Sequence, residues 1–214
     1  VTTTPLAADA RFCPQPAEEV ARVRELYGLP REIVLFVGIN KPHKNLVRLI
    51  DAFARLAQQG CSATLVLAGP WDDRYPQAKE AAAQLPANAG VRFLGSVADA
   101  DLPALYAAAT VFVLPSLYEG FGLPVLEAMA CGVPVACSST SSLPEIAGDA
   151  ALTFDPLDVG AMAGAIGQLL GDGELRDRVA QAGRARAAGF TWERTAALTL
   201  GIYRQTLGQT SSGT

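Results

Sequence analysis

Val111-Phe-Val-Leu-Pro115-Ser-Leu-Tyr-Glu119-Gly-Phe-Gly122-Leu-Pro124-Val-Leu-Glu127-Ala-Met-Ala-Cys-Gly132-Val-Pro134-Val-Ala136 contains one full unit of the architecture. Residues 111–114 form an apolar run of β-branched, aromatic and leucine side chains without polar alternation, the pattern of a strand buried on both faces. Gly120 and Gly122 flank Phe121, so the backbone there can approach a ligand closely. Pro124 suits the first turn of a helix over 125–130, and Val133-Pro-Val-Ala136 is a second buried strand. Strand, loop, helix and strand in that order point to parallel pairing with the helix as crossover.

The same alternation extends outward in both directions. Ile33-Val-Leu-Phe-Val37, Ala63-Thr-Leu-Val-Leu-Ala68, Val91-Arg-Phe-Leu94 and Ala151-Leu-Thr-Phe154 are further strands. Between them lie apolar residues at helical spacing, namely Leu46, Leu49, Ile50, Phe53 and Leu56, then the segments 78–85, 102–107 and 162–170. Asn45, Asp101 and Asp158 stand where helix caps are expected. After Phe154 the pattern is helical only, over 158–170, 174–188 and 191–207. These features predict an α/β domain, a doubly wound parallel sheet of about six strands with C-terminal helices.

Composition narrows the function classes. The chain has 214 residues, 50% of them hydrophobic, with 17 Lys plus Arg against 21 Asp plus Glu, a balance that gives no electrostatic drive toward nucleic acid. Its apolar runs are far shorter than the roughly 20 residues a membrane-spanning helix needs. The four cysteines form no CxxC pair and are expected as free thiols of a reducing cytoplasm, with Cys131 and Cys137 as small buried hydrophobes. The single histidine, His43, makes a Ser-His-Asp triad or a multi-histidine metal site improbable. Residues 1–16 are expected to be extended and 209–214 a flexible tail; the first residue, Val1, hints at a fragment.

In a doubly wound sheet ligands sit beyond the carboxyl ends of the strands, which directs attention to the loops 38–45, 69–75, 95–101, 115–124 and 138–144. Gly38 follows a strand and Lys44 precedes a helix, so an ammonium beside free backbone N–H groups can meet a phosphate, although the same residues also suit a solvated turn. Glu127 falls about one turn into the helix after Gly122, where a carboxylate can accept from ribose or sugar hydroxyls while the helix N-terminus holds an anion; the plainer reading is a surface glutamate facing the dipole. Trp71 and Tyr75 suit either base stacking or packing. Asp99-Ala-Asp101 spells a DxD, read as a helix cap at Asp101 and not as a metal site, since two carboxylates alone hold a metal poorly.

Glu119 and Glu127 are separated by seven residues, and the stretch 115–134 resembles the EX7E region of retaining GT-B glycosyltransferases of the large family 4, or group 1, class. Gly38-Ile-Asn-Lys-Pro-His-Lys-Asn-Leu46 is similar to the phosphate loop of mannosyltransferase-like members. Leu94-Gly-Ser-Val97, Leu102-Pro-Ala-Leu-Tyr106, Ser142-Leu-Pro-Glu-Ile-Ala-Gly-Asp149 and Phe190-Thr-Trp-Glu-Arg194 are similar to further stretches in the same order. One departure stands out: many members carry an Arg near the start of the phosphate loop, where this chain has Ile39, and Lys41 lacks the bidentate fork of Arg.

The resemblance implies the Rossmann-like C-terminal half of a GT-B enzyme, with residues 1–16 a linker from an N-terminal acceptor domain and 17–208 the nucleotide-sugar-binding domain. It assigns Lys44 to the donor diphosphate and Glu119 to the transferred sugar as the catalytic pair. Gly38, Lys41, Val97, Phe121, Gly122, Leu123 and Glu127 become donor-binding residues, with Val97 near the base and Glu127 on the ribose. No cofactor or metal is implied beyond a GDP- or UDP-sugar, and His43 is a positioning or surface residue. The implied reaction is transfer of a hexose, with mannose the leading candidate, to a glycan or lipid-linked acceptor in the cytoplasm, with membrane contact only peripheral and through the N-terminal domain. Two rivals remain: a sucrose-, starch- or trehalose-type synthase, and a non-catalytic nucleotide-binding or interaction domain.

Overall fold

A computed structural model of the chain describes residues 3–86 and 89–210. Its centre is one sheet of six parallel strands, β1 (Ile33–Val37), β2 (Thr64–Ala68), β3 (Val91–Gly95), β4 (Val111–Leu114), β5 (Val135–Ser138) and β6 (Leu152–Phe154), in the order β3-β2-β1-β4-β5-β6. β1 pairs Leu35 with Val66 of β2 on one side and with Phe112 of β4 on the other, so the winding reverses between β1 and β4. The loops leaving those two strands diverge there and open a crevice at the carboxyl edge.

The helices are α1 (Ala17–Leu26), α2 (Leu46–Gln58), α3 (Gln77–Ala83), α4 (Leu102–Ala107), α5 (Leu123–Ala130), α6 (Leu143–Ala147), α7 (Val159–Gly171), α8 (Gly173–Ala187) and α9 (Trp192–Thr210). Burial explains why the central strands lack alternation: Val34, Leu35 and Phe36 of β1 and all four residues of β4 are inaccessible. The stripe Leu46, Leu49, Ile50, Phe53 and Leu56 lies buried along α2, as its spacing required. α7 packs on α2, and α8 packs on both α7 and α5. Gly183 lets α8 come close, since a Cβ there would stand 3.1 Å from Met129 Cγ of α5.

Several expectations shift. The fifth strand starts at Val135 and not at Val133, because Pro134 has no N–H to enter the ladder; its carbonyl accepts from the Phe112 N–H at 2.9 Å instead. α1 and α6 were not anticipated: α1 buries only Val23 fully, and α6 has five residues, too few for a period to show. α9 runs on to Thr210, past the expected end at Leu207, while residues 211–214 of the expected tail lie outside the described residues.

Of the three expected caps only Asp158 acts as one, accepting from the N–H groups of Gly160 and Ala161 at 2.8 and 2.9 Å. Asn45 sits in the left-handed region and makes no cap bond. Asp101 is likewise corrected. Its carboxylate accepts from Arg22 at 2.6 Å and from the Tyr27 hydroxyl at 2.9 Å, which ties α1 to the start of α4.

Candidate functional site

Asn45 organises the crevice. At φ 59° and 5% exposure, it donates from Nδ2 to Pro115 O at 3.0 Å and to Pro156 O at 2.8 Å, joining the loop after β1 to the loops after β4 and β6. The Leu117 N–H donates to His43 O at 2.8 Å and adds a second bond between the first two loops. The His43 side chain is exposed, so that residue contributes its carbonyl to the site's architecture. Pro42–Lys44 forms a single 3-10 turn.

That turn delivers Lys44 Nζ to within 2.7 Å of Glu119 Oε1, with the two side chains 13% and 10% exposed. Ser116 Oγ donates to the same carboxylate oxygen at 2.5 Å. The backbone of Glu119 is held from the opposite loop: its N–H donates to Ser141 Oγ at 2.9 Å, while its carbonyl accepts from Ser141 Oγ at 2.7 Å and Ser142 Oγ at 3.0 Å. Ser142 Oγ also lies 2.8 Å from Phe121 O. The serine-rich loop is therefore a brace under the glutamate loop, and Ser141 adopts φ 59° to serve it.

Gly122, at φ 107°, is the left-handed residue that turns the chain into α5. A Cβ on it would stand 2.7 Å from Leu143 Cδ2, so both shape and dihedral select glycine. Phe121 is half-buried and meets Phe190 edge-on at 6.2 Å, and Leu123 opens the helix. Glu127, one turn further on, accepts from the hydroxyl of Tyr106 at 2.7 Å. Burial pushes the Glu127 carboxyl up from its ordinary range, and the Tyr106 hydrogen bond works against that shift.

Three expected residues remain, Gly38, Lys41 and Val97. Gly38, at φ 151°, ends β1 beside the Lys44 chain, 3.9 Å from Lys44 Cε to an added Cβ. Lys41 Nζ pairs with Asp72 Oδ2 at 3.2 Å and lies over the Tyr75 ring at 5.4 Å, so it belongs to the second loop's network and makes no described contact with Glu119. Val97, half-buried, lies in the loop after β3. Trp71 packs edge-on against Phe93 at 5.3 Å, with Lys79 Nζ over its ring at 4.3 Å. It lines a cavity of about 250 Å³ with Gly38, Gly69 and Gly95. A larger concavity, about 620 Å³, lies away from these groups between α2 and α7.

A profile of the family "Glycosyl transferases group 1" matches residues 19–186. The chain belongs to the group 1 glycosyltransferases. It is 41% identical over 209 residues to the O-antigen chain mannosyltransferase B of Escherichia coli, covering 95% of this chain and 54% of that protein. Among solved structures, a sucrose-phosphate synthase from Thermosynechococcus elongatus superposes with TM-score 0.81 at 30% identity, over 96% of this chain and 52% of the other. The Anabaena protein HepE, solved with UDP and glucose, has the same fold at TM-score 0.80 and 22% identity, over 94% and 55% of the two chains. The chain thus spans about half the length of these relatives.

For a group 1 glycosyltransferase the arrangement has a clear chemical capacity. The switch point sets the Lys44 ammonium, the Glu119 carboxylate and the glycine-opened N-terminus of α5 at one edge of the sheet, a set that suits an anionic ligand carrying hydroxyl groups. Among the described residues no cluster of three or more His, Cys, Asp or Glu side chains is placed to hold a metal ion, and the Asp101 carboxylate is engaged by Arg22 and Tyr27. No helix is long and apolar enough to cross a membrane among the described residues. The polar loop over 138–142, whose composition suggests a structural role, acts as that brace through Ser141 and Ser142, whereas two participants escaped the sequence reading: Ser116 and Tyr106. Only Tyr106 carried a signal, as a large aromatic with a polar tip on an otherwise apolar helix.

Proposed function

We propose that this chain is the donor-binding half of a retaining hexosyltransferase, with residues 17–208 binding a nucleotide sugar and residues 1–16 leading from an N-terminal acceptor domain. The observation that carries this is the Lys44–Glu119 pair set beside the Gly122 helix start. Lys44 and the α5 N-terminus take the donor diphosphate, Glu119 the transferred hexose and Glu127 the ribose, while backbone near Val97 meets the base. Gly38, Phe121 and Leu123 line the approach to phosphate and sugar, and Lys41 supplies a second positive charge at the rim.

As the bond from the anomeric carbon to the diphosphate oxygen breaks, negative charge grows on the leaving group, and a fixed ammonium stabilises it more than the ground state. An acceptor hydroxyl attacks from the same face and passes its proton to the departing diphosphate oxygen, so configuration is retained without a protein nucleophile, and no step calls for a metal. The mannosyltransferase relative favours mannose and an O-antigen-like glycan or lipid-linked acceptor. The UDP complex of HepE favours a nucleoside diphosphate as the carrier of the donor sugar, with GDP and UDP the two to be compared. The reaction is assigned to the cytoplasm, at the inner face of the membrane in the whole protein.

Titration calorimetry with GDP, UDP and their sugars tests the reading. Millimolar to micromolar binding of at least one is expected, and no heat with any of them would overturn it. In the two-domain enzyme Lys44→Ala should lower kcat by about a hundredfold or more.

A further inference from the structure

Tyr106 is fully buried in α4, packed edge-on against Phe12 at 5.7 Å and tilted against Phe112 at 5.3 Å. A buried phenol needs a partner for its hydroxyl, and here that partner is the carboxylate of Glu127, at 2.7 Å on Oε2. Glu127 makes no other described hydrogen bond, yet no buried side-chain oxygen among the described residues lacks a partner. Its other oxygen, Oε1, therefore reaches solvent. One oxygen is held from inside the protein and the other presented outward.

We propose that Tyr106 is a positioning residue: its phenol holds Glu127 Oε2 so that Oε1 faces the vicinal hydroxyls of the donor ribose. This rests on the donor-binding reading above. A glutamate on an exposed helix face samples several rotamers, and fixing one carboxylate oxygen by a short hydrogen bond removes that freedom before the ligand arrives. The groups facing Glu127 are the Tyr106 hydroxyl from α4, the Arg11 charge from the segment before α1, and the Cys131 thiol at the end of its own helix. Arg11 also lies over the Phe12 ring, at 5.1 Å, and Phe12 meets Tyr106 edge-on, so the segment before α1 packs on the Tyr106 ring.

Tyr106→Phe removes the hydroxyl and keeps the ring. On the full chain, calorimetry should show affinity for a ribonucleoside diphosphate (GDP or UDP, whichever binds) reduced about tenfold, as expected for a lost hydrogen bond to a charged group. Affinity for the 2′,3′-dideoxy analogue should be unchanged. In a Glu127→Ala background the same change should cost nothing further, because Tyr106 acts only through the carboxylate that is then absent.

Loss of the phenol also removes the hydrogen bond that opposes the upward shift of Glu127, so the acid-side fall in affinity should begin at higher pH in the variant. Where Tyr106→Phe does not fold, 3-fluorotyrosine placed at 106 keeps the bond and strengthens the donor, and it should move that fall to lower pH. Equal losses for ribo- and dideoxynucleotide, additive effects with Glu127→Ala, or an unmoved acid limb would each overturn the role of Tyr106 and leave the donor-binding reading standing. A wild-type chain that binds no nucleoside diphosphate would overturn both.

Discussion

At the scale of single residues, Gly122 has two independent reasons to be glycine: a left-handed dihedral and a Leu143 methyl where a Cβ would go. Gly122→Ala should lower stability by about 1–3 kcal/mol in urea unfolding and weaken nucleotide binding, because relief of the clash moves the start of α5. The cysteines divide by burial. Cys131 and Cys137 are buried, with thiols pushed up to about 12, while Cys13 is exposed and Cys61 half-buried. Alkylation at neutral pH followed by mass spectrometry should label Cys13 and Cys61 in the native protein and the other two only after unfolding. Lys44, Glu119, Gly122 and Glu127 are picked out in the sequence by a family resemblance, and the structure brings the first two into contact. Ser116 and the particular partners of the serine brace are not, since those partners lie 3 to 23 residues away and leave no local pattern.

At the scale of elements, the central strands and α2 were legible because their burial is complete and their period unambiguous. α1 was not, because it is held mainly by side-chain tips. Arg24 reaches the carbonyl of Ala108 at 2.5 Å and also that of Pro30, and Asp101 receives Arg22 and Tyr27. Such contacts between distant segments have no periodic signature.

The Arg22 guanidinium, and then the Tyr27 hydroxyl, hold the Asp101 carboxyl below its ordinary range. A depressed folded-state value means that the stabilisation is present above the unfolded aspartate pKa and is lost as pH falls through the folded one. Asp101→Asn should therefore lower the melting temperature by a few degrees at pH 7, and the gap to wild type should narrow below about pH 4. Asp158→Ala, which removes the one true cap among the three candidates, should cost about 1 kcal/mol without affecting nucleotide affinity.

At the scale of the whole molecule, the winding reversal between β1 and β4 places every loop that matters at one edge of the sheet. If a nucleoside diphosphate binds there, the melting temperature should rise with the logarithm of its concentration above Kd, and Lys44→Ala should shift that rise to higher concentration; a thermal-shift series reads both. The fold class followed from alternation alone, whereas the way the loops lock together depends on Asn45, whose two carbonyl partners come from segments about 70 and 111 residues away. No one-dimensional pattern encodes such a pair.

The bond between Lys44 and Glu119 gives the crevice the logic of a two-key lock. An anion alone would draw the ammonium aside and strand a nearly enclosed carboxylate with only Ser116 beside it; a free sugar would engage the carboxylate and strand the ammonium. Separating a shielded ion pair is unfavourable unless both charges find new partners together. On the donor-binding reading, inorganic phosphate and unactivated sugars should therefore bind more weakly than a molecule that carries diphosphate and hydroxyls on one frame.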